Sequence, residues 1–172
     1  MKRTALMISV LLIGSVAALA ENPISDGQKM LYNMAKNNII RAAEKMPEEN
    51  YSYKPTPEVR SFGQLIGHVA DAQYMFCSAV LGKTNPAPGI EKGKTTKADL
   101  VQALKDAFAY CDAAYDGMTD AQAAAQVKFF GREQAKVTVL SFNTFHNNEH
   151  YGNIVTYMRL KGLVPPSSEK RQ

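Results

Sequence analysis

The chain has 172 residues, with 20 Lys and Arg against 16 Asp and Glu and a formal charge of +4. Without Lys2 and Arg3, 18 basic residues face 16 acidic ones, scattered and not interleaved with aromatics, which argues against a nucleic-acid surface. Neither a glycine-rich phosphate loop nor a nucleophile elbow is present in the sequence.

The first 20 residues, MKRTALMISVLLIGSVAALA, read as a secretory signal peptide. Lys2 and Arg3 form the basic start, an apolar run follows, and Ala18-Leu19-Ala20 has the small-x-small form of a cleavage site. Cleavage is expected between Ala20 and Glu21, and no Cys follows to take a lipid. Residues 21–172 then form one domain, exported to a periplasmic or extracellular space, with no second run long enough to span a bilayer.

A first helix is expected over about Asp26 to Met46, with Leu31, Met34, Ala35, Ile39, Ala42 and Met46 on one stripe. Pro47, Pro55 and Pro57 then forbid helix. A second is expected from a Ser61 cap to Leu81, burying Phe62, Leu65, Ile66, Val69, Phe76 and Val80. The connection over 83–96 is rich in Gly and Pro and reads as a loop. Thr96, three residues before Asp99, opens a third helix whose apolar face runs from Leu100 to Met118. VKFFGREQAKVTV around Gly131 reads as an irregular or extended connector. A fourth helix is expected from about Val139 to Lys161, stopped by Gly162 and the prolines 165 and 166. Four amphipathic helices with little strand signal imply an all-α four-helix bundle, in which the long 83–96 connection allows a crossover.

The chain holds three histidines. His146 and His150 are four apart on the fourth helix, turned by about 40° and displaced by about 6 Å, so both imidazoles can reach one ion. His68 lies on the flank of the second helix's apolar face, from which it can point toward the fourth. Three neutral imidazoles leave positions free for water or substrate on a divalent metal, the pattern of a catalytic site. Against this stands the ordinary role of a histidine as a core or surface residue.

HNNEH also fits the H-x-x-E-H protease pattern with Glu149 as base. Helical geometry turns Glu149 roughly 80° from the midpoint of the histidines, and the only downstream carboxylate is Glu169. Asp71, one turn after His68, is a weak catalytic candidate beside Glu149: it could orient an imidazole or take a ligand position. Asn143 and Asn153 could hydrogen-bond near the histidines, and Tyr74, Tyr151 and Tyr157 could bring a phenol, though each also reads as an ordinary helix residue. The methionines read as packing.

SFGQLIGHVADAQ and HNNEHYGNIVTYMRLKGLVPP together resemble the DinB/YfiT-like metalloprotein superfamily over nearly the whole of residues 21–172. The resemblance implies an up-down-down-up bundle with a crossover between helices two and three. It also implies a divalent ion, nickel or zinc, held by His68, His146 and His150. Tyr151 departs from the pattern, where such proteins often carry Arg after the last histidine. Relatives include thiol-dependent transferases and isomerases and proteins read as metal-dependent hydrolases. The expectation is an exported, hydrolase-like metalloenzyme acting on a small molecule. A thiol-dependent transferase or isomerase, or a binding protein without turnover, is the alternative. No nucleic-acid partner, and no membrane after signal cleavage, is expected; a homodimer stays open. If helices two and three run parallel, as the resemblance implies, Cys77 and Cys111 stand at similar heights, and both a disulfide and two buried thiols stay open.

Overall fold

The computed structural model describes residues 22–170; the signal peptide read over residues 1–20 lies outside the described residues. Helix α1 spans Pro23–Lys45. It starts three residues before the expected Asp26 because Pro23 occupies the first turn, where its fixed φ suits a helix and its missing N–H is no loss. Its buried stripe corrects the expectation. Leu31 and Met34 are 48% and 59% exposed. Tyr32 turns inward instead, its ring stacked on Tyr115 at 3.9 Å and its hydroxyl 2.9 Å from Asp112 Oδ1.

Helix α2 spans Phe62–Leu81. Ser61 accepts from the Gln64 N–H while the Gln64 side chain accepts from the Ser61 N–H, a complete capping box, and Gly82 closes the helix in the left-handed region at φ 65°. The connection read as loop contains a single turn, α3, at Ile90–Gly93. Helix α4, Lys97–Tyr115, is capped by the Thr96 side chain and ends before Met118. After a short turn α5, Asp120–Ala123, the connector proves to be a hairpin of β1, Gln126–Phe129, and β2, Arg132–Ala135. Phe129 pairs with Arg132, and both turn residues have positive φ, 48° at Phe130 and 75° at Gly131. Glycine permits the second of these; the aromatic at the first hides the turn from a sequence reading. Helix α6, Lys136–Leu160, follows β2 directly.

Helix α2 packs between α4 and α6, and α1 closes the ring against both. Side-chain partners fix the directions. Along α2 and α4, Gly67 lies against Leu100, Tyr74 against Tyr110 and Cys77 against Cys111, so these helices run parallel. Between α1 and α4, Lys29 meets Asp116 while Glu44 meets Lys105, so they oppose. Between α2 and α6, Cys77 faces Asn143 while His68 faces His146, again opposed. The order is therefore up-down-down-up, and 83–96 is the crossover. Cys77 and Cys111 form a disulfide with Cα atoms 5.2 Å apart.

A candidate metal centre between α2 and α6

Within the core, α2 and α6 face each other through polar as well as apolar side chains. At one level Gln73, Asn143 and Asn147 are fully buried. The Gln73 amide donates to Asn147 Oδ1 at 2.6 Å, and Asn143 Nδ2 donates to Gln73 Oε1 at 3.0 Å. Asn143 Nδ2 also lies 3.3 Å from Cys111 Sγ and 3.1 Å from the Tyr115 hydroxyl. Tyr115 in turn donates to the Leu140 carbonyl at 3.1 Å. Amides pairing with amides make burial tolerable.

Nearer the start of α2, the same two helices bring His68, His146 and His150 together. His68 Nε2 is 3.1 Å from His146 Nε2, and His150 Nε2 is 3.0 Å from it. One ligand nitrogen from each ring lies within 4.8 Å of the other two. His150 is 7% exposed and the other two rings are half-buried.

These contacts cannot all be hydrogen bonds. A ring nitrogen presents either one hydrogen or one lone pair in the ring plane, so His146 Nε2 can satisfy one neighbour and not both. Three lone pairs converging on one cation remove the conflict, and an all-imidazole donor set suits a divalent transition ion. The residues therefore fit such an ion.

Electrostatics agree. Burial, then the neighbouring imidazoles, hold His146 down to about 3. Burial and His68 hold His150 down to about 4. Burial and the Arg60 guanidinium lower His68 as well. His146 and His150 thus stay neutral, the form that ligates, well into the acid range, and His68 is shifted in the same direction.

The weaker candidates are placed elsewhere. Asp71 does not join the histidines: both its oxygens accept backbone N–H groups of residues 89–91. Glu149 and Asn153 are exposed. Glu169 pairs with Arg41 and Lys45 of α1. The Tyr151 hydroxyl meets Ser167, the Tyr157 hydroxyl donates to the Arg60 carbonyl, and Tyr74 packs on Tyr110, so none brings a phenol to the rings. Sequence reading missed Glu91, whose Oε2 is 3.2 Å from His68 Nδ1, and the buried amides Gln73 and Asn147. Glu91 gave no signal, because its contact spans a loop; Gln73 stood on the apolar face of α2, and its buried position was the one available clue.

Residues 31–154 match the sequence profile of the DinB superfamily. The chain belongs to the DinB superfamily. The chain is similar in sequence to the uncharacterized protein YjoA of Bacillus subtilis, 28% identical over 130 residues, covering 74% of this chain and 84% of that one. Among solved structures, a DinB-like protein of Bacillus cereus superposes with a TM-score of 0.72 at 20% identity, covering 82% of this chain and 95% of that one. The YjoA structure gives 0.67 at 24% identity, over 88% of this chain and all of that one. A mycothiol-dependent maleylpyruvate isomerase shares the fold at 0.61 and 15% identity, over 76% of this chain and 60% of that one. At these identities the structural matches speak for the DinB fold alone.

Proposed function

We propose that this DinB-superfamily chain is a metal-dependent enzyme in which His68, His146 and His150 hold one divalent ion, nickel or zinc, and leave coordination positions open to a small-molecule substrate. The convergence of the three Nε2 atoms carries this reading. An ion bound there supplies Lewis-acid chemistry toward an oxygen or sulfur ligand. The chain's own part is to keep three rings neutral, to bury them, and to fix their separation through the α2–α6 contact. Neither Asp71 nor Glu149 is positioned as a base beside them.

The reaction class we infer is hydrolysis. The observation favouring a second reading is the fold shared with the mycothiol-dependent isomerase: the same open positions would take a thiolate, giving a thiol-dependent transfer or isomerisation. Export, which the leader-like residues 1–20 and the Cys77–Cys111 disulfide support, weighs against it, since small reduced thiols are scarce in oxidising compartments. Turnover of an ester and amide panel by the zinc- or nickel-loaded protein, absent from the apo form and indifferent to added thiol, is the expected result. Activity that appears only with a thiol co-substrate would select the second reading, and metal binding without any turnover would leave a binding protein.

A further inference from the structure

We propose that Glu91 is the positioning residue for His68, and that the single turn α3 is docked on α2 so as to deliver it. The inference rests on the metal-centre reading above. Four residues of helix do not hold themselves together in water. Here the two α2 residues that flank His68 hold α3 in place. Gly67 gives the close approach: a Cβ there would lie 2.7 Å from Glu91 Cα and 3.0 Å from Glu91 N, against backbone that cannot swing aside. Asp71 gives the attachment. Its Oδ1 accepts the N–H groups of Gly89 and Ile90 at 2.9 and 2.8 Å, and its Oδ2 accepts that of Glu91 at 2.9 Å. The N–H groups at the start of the turn, which have no partner within it, are thereby satisfied.

The docked turn places the Glu91 carboxylate between two partners. Oε1 accepts from Arg60 Nε at 2.9 Å, and Oε2 lies 3.2 Å from His68 Nδ1. A carboxylate paired to a guanidinium is ionised and only accepts, so His68 Nδ1 must carry the hydrogen. That fixes the tautomer and leaves the Nε2 lone pair facing His146 and His150. Arg60 is itself held, its carbonyl accepting from the Tyr157 hydroxyl of α6 at 2.7 Å. The chain of contacts thus runs from α6 through Arg60 and Glu91 to His68, and back to α6.

This explains why one histidine needs an orienter and two do not. His146 and His150 share a helix, so their separation is set by its geometry, and the Nδ1 atom of each is buried without a hydrogen-bond partner. His68 comes from another helix and its side chain is 25% exposed, so the geometry of α6 does not set its ring orientation. A mere surface ion pair at Glu91 would be almost indifferent to removal.

The test compares wild type with Glu91→Ala and Asp71→Ala, the second releasing α3 without touching the carboxylate. Histidine-labelled apo protein is read by long-range proton–nitrogen NMR, and Co2+ is titrated by absorbance. Wild type should show His68 protonated on Nδ1. Both variants should show mixed tautomers, Co2+ affinity weaker by about 10–100-fold at unchanged stoichiometry, and an altered visible spectrum. Glu91→Asp should recover part of the affinity. If both variants fold, keep the Nδ1–H tautomer and bind Co2+ within threefold of wild type, the inference falls while the metal reading stands. If wild type takes up no Co2+, the metal reading falls, and this inference with it.

Discussion

Two stretches of the α2–α6 interface, about a turn apart, use polar side chains in opposite ways. Around Gln73, Asn143 and Asn147, amides meet amides, a tyrosine and the disulfide, with Asn143 Oδ1 and Asn147 Nδ2 left without a protein partner. Around His68, His146 and His150, like groups are held face to face with one contact too many for the available hydrogens. The first stretch is scaffold: neutral partners matched to one another, holding the helices at a fixed distance and register. We read the second as a site, because the contacts among its ring nitrogens cannot all be hydrogen bonds and one cation would resolve them. The two differ in their partners and in burial: the amides are fully enclosed, whereas His68 and His146 are half-buried.

Neighbouring residues on α6 give the sharpest contrast. His146→Ala should lower divalent-metal affinity by more than the roughly 10–100-fold typical of a residue that only orients a ligand. Asn147→Ala should leave metal stoichiometry at wild-type level. Isothermal titration with Zn2+ of both variants checks this, and equal losses would erase the distinction. Next in size is the disulfide at the scaffold's edge. It closes a separation of 34 residues, and its removal in Cys77→Ala/Cys111→Ala should cost about 4 kcal/mol by the chain-entropy relation. The loss should appear in urea unfolding, with little effect on metal content. Asn143→Ala leaves the Gln73 carbonyl and the Tyr115 hydroxyl short of a donor, and should cost between about 1 and 3 kcal/mol.

The two stretches also differ in pH response. The amides do not titrate. In the metal-free protein His146 and His150 are held down to about 3 and 4, and His68 is lowered, while unfolded histidines titrate near about 6.5. Below that value the unfolded chain binds protons that the folded chain refuses. Their contribution is therefore complete above about 6.5 and is lost progressively as pH falls toward the folded values. The urea midpoint of the apo protein should drop between pH 7.5 and pH 5, and less so when all three histidines are Ala. The smallest effect expected is that of Glu149→Gln: an exposed carboxylate outside the cluster should change neither metal content nor stability measurably.

The long-range order was legible where local chemistry is strong. Ser61 and Thr96 cap helices where side-chain acceptors precede apolar runs, and the three histidines announced themselves by rarity and spacing. Legibility ended where a residue's partner is distant. Tyr32 was overlooked in favour of Leu31 and Met34 because an aromatic with a hydroxyl packs inward only when Asp112 of α4 is there to receive it. Gln73 stands at the helical spacing of the apolar face of α2, but the partners that let an amide be buried there, Asn143 and Asn147, lie on another helix. Asp71 was near the right place for the wrong reason: it holds the backbone of residues 89–91, and Glu91 reaches the ring. The hairpin was missed because Phe130 stands where a glycine or asparagine normally marks such a turn.

The central claim is that the three imidazoles are a metal site. Its most direct test is the metal content of purified protein, equilibrated with Zn2+ or Ni2+ and freed of excess, compared with His68→Ala/His146→Ala/His150→Ala treated alike. The account predicts about one ion per chain in the wild type and essentially none in the triple variant, with both folded by circular dichroism. Equal metal in the two proteins, or none in the wild type, would contradict it.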